Sequence, residues 1–365
     1  MKYHFNEHLQ NITRTRAGTP ERLTSDALFL DRNERAVPYP PEVLDALAAR
    51  LAQSRPNQYP ELRPFYDKVA AWAGLAQNQV FITDGVSGAI KSLLEALAPS
   101  GANIVFPSPT FALYPVYARM FGIEPRIIGY SDEFQVDLTA LEAALDEDTA
   151  FVFLPNPNVP IEGYLPLETI SRLALHCAKF NAALVVDEVY YLFGGETAKD
   201  LIEDHPNLFI MRSFSKGFGL PGVRIGFVAG PAEIIEFVAR TRTGYETSTM
   251  AAETVSYFLE NMEIINGYVN EVKDGFRQLK ARLDEIGIRH NGGDTGNFIY
   301  LDLKSPATVK TVITALRNQG IHIRGGWPAP FDCGVAVTGA PPEQMLRFFD
   351  AFKTAMSDHS ISTAT

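Results

Sequence analysis

From about residue 79 onward, short apolar runs alternate with amphipathic stretches, and this alternation restricts the fold more than any other feature of the chain. Apolar runs fall at 80–83, 103–106, 151–154, 182–186 and 208–211. Between them, Ile90, Leu93, Leu94 and Leu97 share one helical face, and Ile170, Leu173, Cys177 and Phe180 share another. Continuously apolar runs of this length, separated by helices, predict strands buried on both faces of a mostly parallel sheet, and hence an α/β architecture.

A chain of 365 residues exceeds what one ordinary core organises, so two domains are expected. Pro40-Pro41 opens a helix whose stripe is Leu44, Leu47, Ala48 and Leu51. A long helix is predicted over 262–286, with Gly287 as its stop. After it, runs at 298–303, 321–324 and 334–338 flank further helical patterns and suggest a smaller α/β unit. The expected division is an arm plus part of the small domain over 1–44, a large ligand-binding domain over 45–260, the small domain over 261–356, and a disordered tail over 357–365.

Charge narrows the partners. Lys and Arg number 32 against 43 Asp and Glu, a net charge of −11, with no basic run; nucleic acid and anionic membranes are therefore not expected partners. The first ten residues lack a signal-peptide core, and no stretch reaches the length of a membrane span. Two cysteines, Cys177 and Cys333, are too few for a disulfide framework, and Cys177 lies on an apolar stripe. These features point to the cytoplasm.

In parallel α/β sheets ligands gather at the carboxyl ends of the strands, so the residues just after each run are the informative ones. Asp84-Gly85-Val86-Ser87-Gly88 follows the first run and opens a helix, which suits either an ordinary helix start or an anion site. Phe111 follows the second run at the end of a proline-stiffened loop and could be core or a platform for a flat ring. A rigid Asn-Pro turn over 155–160 follows the third. Asp187-Glu188-Val189-Tyr190 follows the fourth, and a buried acid there needs a cation, whether a structural Arg or a protonated ring nitrogen. After the fifth come Ser213, Ser215, Lys216 and Arg224, a set able to combine an amine nucleophile with phosphate binding. Gly217, Gly219 and Gly222 also satisfy G-x-G-x-x-G, but Pro221 interrupts the pattern and no early βαβ unit surrounds it, so a dinucleotide site is not adopted.

The joint order of these features is far more specific than any one of them. An anion loop, an aromatic, an Asn-Pro turn, Asp-x-x-Tyr, and Ser-x-x-Lys with a later Arg together resemble the fold-type I pyridoxal 5′-phosphate (PLP) enzymes. Within them the chain is most similar to class I/II aminotransferases of the histidinol-phosphate aminotransferase branch, over roughly residues 28 to 350. Leu30-Asp31-Arg32-Asn33-Glu34, Asn57-Gln58-Tyr59-Pro60 and the lysine motif over 212–226 carry the likeness. The resemblance implies that Lys216 holds PLP as a Schiff base and moves protons, that Asp187 pairs with the pyridinium nitrogen, and that Tyr190 bonds the ring hydroxyl. It implies further that Phe111 stacks on the ring, and that Gly85, Val86, Ser87, Ser213, Ser215 and Arg224 hold the phosphate. Tyr59 would reach the neighbouring subunit's cofactor, making a homodimer, and Asn33, Tyr59 and Arg324 would meet substrate. No metal site is expected.

Two departures from the family pattern stand out. Where the family reads Asn-Asn-Pro-Thr-Gly, this chain has Val159 in place of the second Asn and one extra residue before Gly163, leaving Asn156, Asn158 or Tyr190 alone to serve the ring hydroxyl. Near the C-terminus, Val335 aligns with a family Arg that grips a substrate anion, so only Arg324 remains. A donor with a single anionic group, such as a phosphate or phosphonate, is therefore expected. Transamination to a keto acceptor is the expected reaction; a PLP-dependent decarboxylase or lyase and a non-catalytic binding protein are the alternatives.

Overall fold

The structure is a computed structural model that describes residues 4–10, 12–13, 22, 26–131 and 133–358. A short strand, β1 (Leu28–Leu30), precedes the helix Pro41–Leu51 and the helix Arg63–Ala73. Seven strands then form the main sheet: β2 (Val80–Thr83), β3 (Asn103–Pro107), β4 (Glu124–Ile128), β5 (Thr149–Pro155), β6 (Ala183–Asp187), β7 (Leu208–Ser213) and β8 (Gly226–Ala229). Their order is β2-β8-β7-β6-β5-β3-β4, with β8 antiparallel to both neighbours and the other pairs parallel.

The continuous apolar runs are explained by this sheet. Val152, Leu154, Leu184, Val186 and Ile210 enter one core, whereas Phe151, Phe153, Val185, Phe209 and Met211 enter the core on the opposite face. Alternate side chains thus bury on opposite sides, and no solvent face remains to impose a polar residue. Cys177 is fully buried, and burial pushes its thiol up to about 12, as befits a core residue.

Four further strands complete the fold: β9 (His290–Gly292), β10 (Phe298–Asp302), β11 (Ile321–Ile323) and β12 (Gly334–Thr338). The sheet β12-β10-β9 is antiparallel, and β1 pairs in parallel with β11, Leu28 opposite Ile321. Helix Met262–Glu285 turns its Ile265, Val269, Val272, Phe276, Leu279 and Leu283 stripe inward and ends before Gly287, whose φ of +68° suits glycine. Four strands escape the periodicity: β1 and β9 are only three residues long, β4 is an edge strand carrying Pro125, and β8 follows an irregular loop. The last helix runs from Pro342 to Asp358, so residues 357 and 358 are helical where a disordered tail was expected; residues 359–365 lie outside the described part. Among the described residues no helix is long and apolar enough to cross a membrane.

Candidate active site

Every strand of the main sheet except β8 ends on one edge, so the segments after β2, β3, β5, β6 and β7 converge there. They enclose a cavity of about 390 Å³. Its wall includes Gly85, Val86, Ser87, Phe111, Asn158, Val159, Asp187, Tyr190, Ser213, Ser215, Lys216 and Arg224, together with Asn33 and Arg324 from outside the main sheet. Tyr59 is not on this wall. It is 77% exposed and stacks on Tyr245 with ring centroids 4.5 Å apart.

The two acids that end β6 have separate fates. Glu188 takes the structural ion pair: Arg212 Nε donates to it at 2.9 Å, and Thr197 and the Ala198 N–H complete its shell. Asp187, 3% exposed, has no cation beside it among the described residues. Its carboxylate accepts from the Tyr114 hydroxyl at 2.6 Å and from the Val189 N–H at 3.2 Å. Burial pushes it up to about 6, against the pull of those two donors. A buried carboxylate that opens on a cavity and lacks a cation fits a protonated ring nitrogen.

Lys216 stands across the cavity. Its Nζ donates to the Arg32 carbonyl at 2.8 Å and lies 5.9 Å from the Tyr190 ring centroid. Burial lowers it to about 8; Arg324 and Arg224 act in the same direction, and Glu34 opposes them. An amine so placed carries a far larger neutral fraction near neutral pH than an ordinary lysine, and the neutral form is able to attack a carbonyl.

The floor nearest β2 is built for an anion. Helix Gly85–Leu97 starts without a side-chain cap from Asp84, leaving its first N–H groups for another acceptor. Gly85 is in left-handed backbone at φ +62°, which favours glycine, and a Cβ there would stand 2.9 Å from the Arg224 guanidinium and push it aside. Arg224 is itself held in left-handed backbone at φ +60°, with Nε 3.3 Å from Asp84. Ser213 and Ser215 share a 2.9 Å hydroxyl contact beside it. This donor set matches a phosphate.

The residues offered in place of the missing family Asn separate clearly. Asn156 is off the cavity wall, its amide clamped to the Leu165 backbone at 2.8 and 2.9 Å, and it is unavailable to a ligand. Asn158 lines the cavity but donates to the Pro109 carbonyl at 2.7 Å and to Tyr130, and accepts from Thr110 at 2.5 Å. Val159 lies on the wall and has no side-chain donor to offer. The extra residue of this loop has its own consequence. Glu162 accepts from Thr295 N at 2.5 Å, Thr295 Oγ1 at 2.9 Å and Gly296 N at 2.6 Å, fastening the loop to the turn before β10.

The expectation for Val335 needs correction. Val335 and Val337 face the main core, so a longer side chain at 335 would not reach the cavity side. The opposite face of β12 carries Gly334, Ala336 and Thr338. There a Cβ at Gly334 would lie 2.1 Å from the Tyr300 ring, so Tyr300 fills the space a larger side chain would need. Arg324, bridged through its backbone to Ala336, makes no ion pair among the described residues and lies 4.3 Å from the Trp327 ring centroid. Burial lowers its pKa, and Tyr190 and Asp31 oppose that fall.

Sequence reasoning missed Tyr114 and Thr338. Tyr114 looks like one more aromatic on an apolar helix face, and nothing local marks its hydroxyl as the partner of Asp187. The run of glycines at 217, 219 and 222 opens no helix, which agrees with setting the dinucleotide pattern aside.

Comparison with known proteins agrees with this geometry. Residues 25–347 match the aminotransferase class I and II family, and the chain belongs to it. It is thus a transaminase of a PLP-dependent family. Among its relatives, histidinol-phosphate aminotransferase 1 of Bacillus thuringiensis subsp. konkukian is 29% identical over 323 residues, covering 87% of this chain and 85% of that one. Histidinol-phosphate aminotransferase 1 of Hydrogenovibrio crunogenus is 30% identical, covering 81% and 82%. In structure, histidinol-phosphate aminotransferase from Sinorhizobium meliloti, solved with pyridoxal-5′-phosphate, superposes with a TM-score of 0.88 at 20% identity over 98% of this chain and 99% of that chain.

Proposed function

We propose that this transaminase binds PLP between Asp187 and Lys216 and accepts an amino donor with one anionic group. The observation that carries the cofactor geometry is the pairing of a buried carboxylate without an ion pair with a half-buried, acidified amine on one cavity. When bound, PLP supplies a carbonyl for the amino group and a conjugated ring that disperses the electron pair released at the donor's Cα.

The chain's own residues divide the remaining work. Asp187 keeps the ring nitrogen protonated, and Tyr114 keeps Asp187 aimed. Gly85, Val86 and Ser87, with Ser213, Ser215 and Arg224, hold the phosphate. Phe111 closes one face of the ring. Lys216 would supply the amine that anchors the cofactor's carbonyl group and the base that moves the donor's proton. Arg324 supplies the cation for the donor's anionic group, and the absence of a second Arg on β12 favours a phosphate or phosphonate over an ordinary dicarboxylate.

A second copy of the chain completes this reading. Helix Pro41–Leu51 is amphipathic yet has no buried residue, and Leu44, Tyr59, Tyr245 and Met250 are all exposed apolar or aromatic groups in the segments around it. Tyr59 then serves the partner's cofactor, and the assembly is a homodimer. The pairing of β1 with β11 supports grouping 1–44 with 261–356 as the small domain beside a large domain over 45–260. Two unpaired cysteines suit a cytoplasmic enzyme.

Borohydride reduction of the purified protein tests the cofactor reading directly. Loss of a visible absorption band, with a pyridoxyl group mapped to Lys216, is the expected result; a protein that stays colourless with added PLP would overturn it. Steady-state rates over a donor panel test the substrate. Rapid turnover of glutamate, unchanged in R324A, would rule out the single-anion reading. Release of carbon dioxide without a keto acceptor would favour a decarboxylase.

A further inference from the structure

A chain of hydrogen bonds from β12 to Tyr190 has a fixed direction. The Asn33 backbone N–H, which can only donate, reaches Thr338 Oγ1 at 2.9 Å. Having accepted that bond, the Thr338 hydroxyl donates to Asn33 Oδ1 at 3.2 Å. The Asn33 amide nitrogen therefore faces the other way and donates to the Tyr190 hydroxyl at 2.8 Å. Tyr190 has then accepted, and its own proton is left to point into the cavity. Asn33 is locked in this pose by left-handed backbone at φ +53° and by the Asn297 amide on its carbonyl at 3.2 Å.

The direction matters more here than where the family Asn is present. Val159 offers no donor, and Asn158 is committed to Pro109, Tyr130 and Thr110. We propose that Asn33 and Thr338 are positioning residues that make Tyr190 an obligate donor to the cofactor's ring oxygen, in place of the missing amide. This rests on the PLP reading above. It also moves Asn33 from the substrate to the cofactor, because both ends of its amide are engaged. The same chain ties the ring oxygen's donor to a strand of the antiparallel sheet, so a shift of β12 would be felt at Tyr190.

A donor on the ring oxygen stabilises the deprotonated form of the conjugated system, so losing it raises the pH at which the visible band of the reconstituted protein titrates. Asp187, Arg324 and Lys216 are the charged groups that face Tyr190, and all remain in the variants used. Y190F should raise that titration by about one to two pH units, as expected for a hydrogen bond to a charged group. N33A and T338V should raise it as well, T338S should restore it, and N33A placed on Y190F should add nothing. Apoprotein unfolding measured in parallel separates loss of structure from loss of direction, and N33S substitutes if N33A fails to fold. Titration of N33A and T338V like wild type, or an additive shift in Y190F/N33A, would overturn the proposal. No visible band in the wild-type protein would instead overturn the cofactor reading on which it rests.

Discussion

The Tyr114 hydroxyl donates to Asp187 Oδ2 at 2.6 Å, and the carboxylate opens on the cavity without an ion pair among the described residues. Tyr114 is fully buried, and burial followed by the Asp187 charge raises its pKa well above the ordinary phenol value, so it stays a donor at all accessible pH. An acid is thereby held ready, and the protein bears the cost until a ligand neutralises it.

That cost is measurable. Asp187 sits at about 6 in the fold, above its value in an unfolded chain. The folded protein therefore holds this proton more tightly than the unfolded chain, an advantage present below about pH 4 and lost as pH rises through 6. Asn at 187 keeps an acceptor for Tyr114 without the charge. Cofactor-free D187N should be more stable than wild type by roughly 3 kcal/mol at pH 7.5, with the difference vanishing near pH 4. Urea unfolding of the two apoproteins at both pH values checks this; equal stability at the higher pH would contradict it. The same variant should bind PLP far more weakly.

Lys216 gives a complementary slope. With its amine at about 8, the neutral fraction climbs about tenfold per pH unit below that value and levels above it. The rate at which apoprotein captures PLP, followed by stopped-flow absorbance, should trace that curve. A midpoint near that of an ordinary lysine would show that the amine is not acidified.

The loop insertion can be tested through Glu162. Its carboxylate gathers three contacts from Thr295 and Gly296, and the Asp294 N–H adds a fourth at 3.3 Å. E162A leaves these donors buried or poorly solvated and should cost about 3 kcal/mol in unfolding experiments. E162Q retains one acceptor oxygen and should cost less. Indistinguishable unfolding curves would mean that the loop holds without this tether.

Restoring the missing cation at 335 should fail. V335R would place a guanidinium in the main core beside Val337 with no acid to meet it, and the expected outcome is several kcal/mol of destabilisation with no gain in turnover of dicarboxylic donors. Thermal melts together with donor kinetics decide the matter. A stable V335R that turns over glutamate faster than wild type would show that β12 faces the other way.

Much of the fold was legible because it rests on periodicity. The apolar runs that became β2, β3, β5, β6 and β7 announce themselves, and the polar residues at their ends, Asp187 and Lys216 above all, stand out against them. The rest depends on register and on long-range pairing. Edge strand β4 carries no uninterrupted apolar run, and β8 opens on a glycine directly after an irregular loop. The two faces of β12 look alike in one dimension, so which of Gly334 and Val335 enters the main core is settled only by the packing of Val335 there and of Gly334 on Tyr300. Val159 could be read as a lost donor, but that Thr338 and Asn33 stand behind Tyr190 depends on a contact between residues 305 positions apart.

The pairing of β1 with β11 sets a condition on how the protein is made. Leu28 leaves the ribosome early, but its partner Ile321 follows roughly 290 residues later, when most of the main sheet has already been synthesised. Until then the segment carrying Arg32 and Asn33 has no strand to lie against, and the carbonyl that receives Lys216 has no fixed position. The active site is therefore a late event of biosynthesis: a nascent chain stalled before β11 can hold a formed sheet, yet it should not acquire a working cofactor pocket.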